Sequence, residues 1–246
     1  MLRPTPISLW DALRGAEVPT QPGGAARPAR RRRGGPDGNL RDLRLLNRTL
    51  GWSTVVGREV DRVMHARDLR RATLLDIATG SGDIPRYLVR PRRYSRPEPG
   101  GLASDLSAAV LAEARSVAAG EDLPFLRPTP QRCRSATAPF DIITCCLAAH
   151  HLEPAALTRA LAEMRRVARH AVIVSDLVRG RFAYVARTAD GAVALRNRLT
   201  AHDAPVSVLR AYTPAEIAAL ARAAGLRRVI VRRARFPRPR RSWTPT

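Results

Sequence analysis

The chain has 246 residues, 45% of them hydrophobic, and a formal charge of +22 at pH 7. That length and apolar content allow one full-sized domain with a buried core plus tails, and no apolar run is long enough to cross a bilayer. All 43 basic residues are arginine, with no lysine anywhere, so the charge reads as the Ala/Arg/Gly/Pro bias of a GC-rich genome rather than as a surface selected for nucleic acid.

The first 38 residues, with "PTQPGGAARPARRRRGGPDG", have little to bury and read as a disordered tail. Their start, "MLRPTPISLWDALRG", lacks the continuous apolar stretch and small-residue cleavage site of a secretory signal, so the expected location is the cytoplasm. A domain is expected over 39–235, followed by a basic, proline-rich tail over 236–246. "NLRDLRLLNRTLG" places Leu40, Leu43, Leu46 and Leu50 on one helical face, and a second helix is expected over about 54–65.

Strands and helices then alternate. "ATLLDIA" reads as a buried strand, and Asp83 and Pro85 start a short helix carrying Tyr87 and Leu88. "GGLASDLS" is a weak strand, and "AAVLAEARSVAAG" a helix stopped by Gly120. "FDIITCCLA" is β-rich, "EPAALTRALAEMRRVARH" a helix with Pro154 in its first turn, and "AVIVSDL" a buried strand. Thr213, Pro214 and Glu216 form a capping box with proline at N1, opening a helix that stops at Gly225 before an expected strand, "LRRVIVRR". The expected fold is therefore a three-layer α/β sandwich: a mostly parallel, doubly wound, Rossmann-like sheet with helices on both faces. Three cysteines, Cys133, Cys145 and Cys146, are too few for a disulfide framework. The adjacent pair lacks the spacing of a metal site, so no metal is expected.

"LLDIATGSGDIP", residues 74–85, carries the chemistry. In an open parallel sheet ligands bind beyond the carboxyl ends of the strands, where the winding reverses. Gly80 and Gly82 let a ligand lie against the backbone, and Asp76 can orient a cationic or hydroxyl group. A P-loop is excluded because the chain has no lysine, and the dinucleotide fingerprint fails at position 85, which is Pro85 rather than glycine. Asp105, at the end of the next strand in "SDLSAAVLAEAR", is the residue type that grips ribose hydroxyls. Two acids at adjacent strand tips with a glycine turn between them describe a nucleoside site without a phosphate cradle.

These segments resemble the class I S-adenosyl-L-methionine (SAM)-dependent methyltransferases. "LLDIATGSGDIP" is similar to their first motif, with Ala78 in place of the commoner first glycine and Thr79 after it. "SDLSAAVLAEAR" is similar to the second, and "FDIITCCLAAHHLEP" to the strand-four segment of the small-molecule branch, which includes quinone, phenolic and polyketide methyltransferases. The resemblance implies SAM as cofactor, with Asp76, Gly80 and Gly82 at its methionine end. It implies Asp105 on the ribose, Leu106 on the adenine, and Cys146 and Leu147 near the sulfonium. The implied reaction is methyl transfer to oxygen or carbon of a small-molecule acceptor, catalysed mainly by proximity and orientation.

His150 and His151 follow the fourth strand, where a histidine can take a phenolic proton; capping the next helix or lining the pocket wall is the structural alternative. His202 and Asp203, in "NRLTAHDAPVSVLRAY", fall where the resemblance places acceptor-binding insertions, and a solvated loop is the other reading. Arg179 and Arg181 could meet an acidic acceptor or remain on the surface. Enzymes that methylate exocyclic amines of bases carry an Asn/Asp-Pro-Pro-aromatic run after strand four; "LAAHHLEP" has no such aromatic, and aromatic content is 4%. No specific nucleic-acid partner is therefore expected. The chain departs from the family pattern where Thr129 stands near the position of the acid that contacts adenine, and where Pro237 and Pro239 interrupt the expected seventh strand. A methyltransferase fold used as a non-catalytic interaction or SAM-sensing module is the alternative that these departures suggest.

Overall fold

The computed structural model describes Arg44, Asn47 and residues 51–90, 99–127, 140–179, 207 and 209–233. Five parallel strands form one sheet in the order β3-β2-β1-β4-β5. They are β1 (Ala72–Ile77), β2 (Pro99–Ser104), β3 (Phe125–Leu126), β4 (Phe140–Cys146) and β5 (Ala168–Ser175). The helices are α1 (Trp52–Ala66), α2 (Asp83–Val89), α3 (Ala108–Val117), α4 (Pro154–Val167) and α5 (Pro214–Ala223), with a short 3-10 turn at Ala149–His151.

The central strands β1 and β4 are buried along almost their whole length, as expected of parallel strands covered on both faces. Alternation along them sorts the core into two layers. Leu74, Ile142 and Cys146 pack with Trp52, Val56, Val60 and Met64 of α1 and with Ile84 and Leu88 of α2. Leu75, Ile77, Ile143 and Cys145 pack instead with Leu157, Leu161 and Met164 of α4 and Ala221 of α5. The adjacent cysteines are thus free thiols divided between the two layers, and burial pushes the Cys145 thiol well above its usual range.

The capping box at α5 forms as expected: the Thr213 hydroxyl accepts from the Glu216 amide, and the Glu216 carboxylate accepts from the Thr213 amide. β5 starts at Ala168, within the segment expected to end the preceding helix. "LRRVIVRR" is a correction: residues 226–233 form no strand. Leu226 and Val229 pack on the core, but Ile230 and Val231 are exposed at 56% and 45%. β-rich composition yields a strand only where a ladder partner is available, and none of the described strands pairs with this run. The expected N-terminal tail, the proline-rich C-terminus and the site of any seventh strand lie outside the described residues. No helix among the described residues is long and apolar enough to cross a membrane.

At the amino edge of the sheet, Asp141 joins three strands. It accepts from the Thr73 amide (2.8 Å) and hydroxyl (3.0 Å) and from the Arg169 guanidinium (2.7 Å). Burial alone would raise its carboxyl, but these donors outweigh burial and hold it below the usual range. Asparagine keeps one acceptor oxygen and turns the other into a donor, so either Thr73 or Arg169 loses its partner. Asp141→Asn is expected to cost about 1–3 kcal/mol at pH 7. Because the folded carboxyl is depressed, that advantage is lost as pH falls below the ordinary 3.8. Denaturant unfolding of both proteins at neutral and acid pH measures the loss.

Candidate functional site

The sheet winds outward in both directions from the β1–β4 pair, β2 and β3 to one side and β5 to the other. Connections leaving the tips of β1 and β4 diverge, which opens a crevice at the carboxyl edge. The sequence-derived residues on β1, β2 and β4 converge there.

The turn after β1 is built from left-handed residues at alternate positions: Ala78 (φ 56°), Gly80 (φ 56°) and Gly82 (φ 72°). A Cβ on Gly80 would meet nothing within 4 Å, whereas one on Gly82 would meet the Phe125 ring at 3.0 Å. Gly82 is therefore required by packing as well as by backbone conformation, while Gly80 borders open space. The Thr79 amide donates to the Ser104 carbonyl (2.9 Å), tying the turn to the tip of β2. The Gly80 amide donates to Asp105 Oδ2 (3.1 Å), and the Ser107 amide holds the other carboxylate oxygen (3.0 Å). Loop and strand-tip acid, 25 residues apart, thus form one unit.

Asp76 is buried within β1, opposite Thr144 of β4, whose hydroxyl donates to it at 2.5 Å. Burial pushes its carboxyl from the ordinary 3.8 to about 7, against the lowering effect of that hydrogen bond. Asp105 is also raised, chiefly by burial, with the amides of Ser107, Gly80 and Leu106 opposing. Asp83 opens α2 and accepts from the Ser81 hydroxyl (2.9 Å) and from Asn47 Nδ2 (3.0 Å). Asn47, ahead of α1, thus reaches the loop, and its buried Oδ1 has no hydrogen-bond partner among the described residues. The open space at Gly80, the strand-tip carboxylates and this spare acceptor fit a ligand with hydroxyl and cationic groups. Leu106 is half-buried on the α4 side.

At the other side of the crevice, Leu147 follows β4 with φ 55°, its amide donating to the Ser175 carbonyl (2.9 Å). Cys146 packs inward, with Leu147 partly buried beside the same cluster. The two histidines separate: His150 is buried and His151 exposed, their rings 4.1 Å apart. His150 meets Asp176, just after β5: its amide donates to Oδ2 (3.0 Å), and Nδ1 lies 2.6 Å from Oδ1. Arg179 pairs with Glu216 of the α5 capping box, so the structure gives it an internal partner. Thr129, Arg181, His202 and Asp203 lie outside the described residues.

Asn47, Ser81, Thr144 and Asp176 were missed in the sequence. Thr144 becomes visible only through the register that sets it against Asp76. Asp176 carries a signal in the sequence, an acid directly after the β-run "AVIVS", at the same edge of the sheet as Asp76 and Asp105.

Residues 74–171 match a family model described as a methyltransferase domain. Among solved structures, the chain is similar to the plantazolicin methyltransferase BpumL in complex with a monoazolic desmethylPZN analog and SAH. That match has 13% identity, a TM-score of 0.55, and covers 74% of this chain and 67% of that one. It is also similar to a chain from a complex of the Haloferax volcanii Trm112 methyltransferase activator with a protein assigned as a methyltransferase. There the identity is 19%, the TM-score 0.50, and the coverage 79% and 77%. No curated protein matches the sequence.

Two outcomes follow from the loop. Ala78 adopts a conformation that costs a side-chain-bearing residue about 1–2 kcal/mol, against about 0.5–1 kcal/mol for the extra chain entropy of glycine. Ala78→Gly is therefore expected to raise stability by up to about 1 kcal/mol in denaturant unfolding. The Asp76 carboxyl keeps its proton in the folded protein up to about pH 7, whereas the unfolded chain releases it near 3.8. Stability therefore falls as pH rises through that window, and Asp76→Asn should make the fall shallower in thermal melts across it.

Proposed function

We propose, from the match of residues 74–171 to a methyltransferase-domain model, that this chain transfers a methyl group from SAM to the oxygen or carbon of a small-molecule acceptor of phenolic, quinone or polyketide type. The enzyme is a methyltransferase, and S-adenosyl-L-methionine is its cofactor. SAM supplies an activated methyl on a sulfonium, so the protein's part is binding, orientation and exclusion of water.

One observation carries the reading: the Gly80 amide and the Asp105 carboxylate meet beside open space at the tip of β1. In this proposal Asp105 holds the ribose, and Asp76 with Ala78, Thr79, Gly80 and Gly82 shapes the methionine end. Leu106 and Thr129 border the adenine, and Cys146 and Leu147 lie near the sulfonium. His150 and His151 are the candidates for proton transfer. Arg179, His202 and Asp203 are assigned to the acceptor side, with Arg179 reaching it only by releasing Glu216. The domain is taken to span 39–235, with a cytoplasmic location.

Support for a small-molecule acceptor comes from the segment after β4, which turns into a short 3-10 helix and a buried histidine, with no aromatic available to stack a flipped base.

Titration calorimetry with SAM and SAH on the full chain tests the assignment. Wild type is expected to bind both. Asp105→Ala should weaken SAH binding about 10- to 100-fold, the loss expected when a charge-assisted hydrogen bond of about 1.5–3 kcal/mol is removed. Unchanged affinity would discard the ribose assignment. No heat and no thermal shift up to millimolar ligand would remove the enzymatic reading itself.

A further inference from the structure

The amino end of β5 breaks the alternation of a strand. Phe140 stands opposite Ala168 but Ile142 opposite Ala171, so β5 carries one residue more than β4 over this stretch. Arg169 and His170 therefore face the single Asp141. Consecutive side chains of a regular strand point to opposite faces. Here Arg169 Nη1 lies 2.7 Å and His170 Nε2 3.7 Å from the same carboxylate oxygen, Oδ1. Such a bulge gives up ladder regularity and re-aims side chains. Both side chains line a cavity of about 440 Å³, whose basic wall is completed by Arg165 and Arg166 of the last turn of α4. The remaining lining is apolar: Ala168, Ala171 and Val172 of β5, with Leu226 beyond α5. Ala168, Val172 and Leu226 also pack on the core layer beneath α4 and α5, so the apolar lining backs onto the core.

We infer that this cavity is a second binding site, for a small organic oxyanion: a carboxylate or phosphate carried on an apolar body of ring size. It lies at the amino end of β5, a strand's length from the crevice, roughly 20–25 Å at about 3.3 Å per residue. The site does not depend on the methyltransferase reading.

The charges select an anion. Arg166 pairs with Glu163 (2.9 Å) and Arg169 with Asp141 (2.7 Å), so the two acids that meet the cavity's arginines are already occupied. Arg165 is exposed and has no hydrogen bond or ion pair among the described residues. Its guanidinium is nevertheless placed, lying over Gly225 at 3.4–3.7 Å from where a Cβ would stand. Gly225, at φ 83°, is also the left-handed residue just beyond α5. A guanidinium is a planar fork that matches a carboxylate or phosphate with two parallel N–H donors.

Arginines in the last turn of a helix also answer its macrodipole. That accounts for Arg165 and Arg166, but not for the bulge that turns Arg169 and His170 to the same place. No acid lines the cavity, so a cationic ligand has no counter-charge there. An inorganic ion would leave the apolar lining wet, whereas an organic anion covers it. The volume falls in the range of small-molecule sites, about 300–1,000 Å³. No aromatic lines the cavity either, so a nucleic-acid base has nothing to stack on.

The test uses the full chain, with phenyl phosphate, benzoate, inorganic phosphate and neutral benzamide as probes in titration calorimetry at fixed ionic strength. Phenyl phosphate or benzoate should bind at one site, at least about tenfold tighter than inorganic phosphate, with no heat from benzamide. The tighter of the two identifies the head group. Saturating SAH should not displace it. Arg165→Ala should weaken binding about 10- to 100-fold, the loss expected for a charge-assisted hydrogen bond. Arg222→Ala, which removes an exposed arginine of α5 outside the cavity, should change it less than about twofold. Both positions are exposed, so both variants should keep the wild-type melting temperature. Equal losses in the two variants would mean general attraction by a basic surface and overturn the inference. So would displacement by SAH, inorganic phosphate binding as tightly as phenyl phosphate, no binding of either organic anion at millimolar concentration, or tighter, Arg165-dependent binding of a single-stranded oligonucleotide.

Discussion

The turn after β1 has to change direction without filling the space above it, and the rest of the site is arranged around that constraint. A side chain at Gly80 would project into the open crevice, and one at Gly82 would strike Phe125. With little side chain of its own, the turn is held from outside. The Ser104 carbonyl and the Asp105 carboxylate take its amides from the β2 side. The Ser104 hydroxyl donates to the Asp76 carbonyl (2.7 Å), locking the same tip from within the sheet. Asp105 is consequently part of the loop's scaffold, and in the proposed function it is also the acid offered to the ribose. Its carboxylate can serve both because each oxygen has more than one acceptor direction.

The opposite tip repeats the scheme with different residues. Leu147 takes a left-handed conformation after β4, and its amide is held by the Ser175 carbonyl. Asp176, directly after β5, reaches back to His150. Non-glycine residues in this conformation are uncommon, and here Ala78 and Leu147 stand at the tips of the two strands that flank the winding reversal. Asp68, before β1, is the other such residue described, and the two at the strand tips both lie in turns secured by hydrogen bonds to the neighbouring outer strand.

Much of this arrangement was legible before any coordinates, and the division has a physical basis. β1, its glycine turn and Asp105 are encoded in two short continuous stretches, so apolar runs and glycine spacing sufficed to place them. The helix caps at Thr213 and the proline start of α4 are likewise local. What escaped the sequence depends on pairing between distant strands. Thr144 and Asp76 are 68 residues apart and meet through the β1–β4 register. His150 and Asp176 are 26 apart and meet because β4 and β5 are neighbours. The run "LRRVIVRR" failed in the opposite sense. Its residues have the composition of a strand, but strand formation requires a neighbour to receive the ladder, and composition carries no information about that neighbour.

Net charge is the least informative feature of this chain, because the field that matters is local. Against an overall +22, the carboxyl edge of the sheet gathers Asp76, Asp83, Asp105 and Asp176. Asp83 and Asp105 both raise the Asp76 carboxyl, and Asp76 and Asp176 both raise the Cys145 thiol. Carboxylates that influence one another in this way sit close together in a poorly screened interior. Two arginine ion pairs lie away from that edge, Arg169 with Asp141 at the amino ends of the strands and Arg86 with Glu121 beside α2, while Arg179, beyond β5, pairs with Glu216 and Arg127 donates to the Leu106 carbonyl. A sulfonium is a cation that cannot shed its charge by losing a proton, so it gains from nearby carboxylates, and more so as pH rises past about 7, where Asp76 gives up its proton. The same carboxylates disfavour a phosphate-bearing ligand, consistent with a loop that has no lysine and no third glycine. The acidic crevice therefore suits the charge of SAM, and the arginine-rich exterior does not determine what the protein binds there.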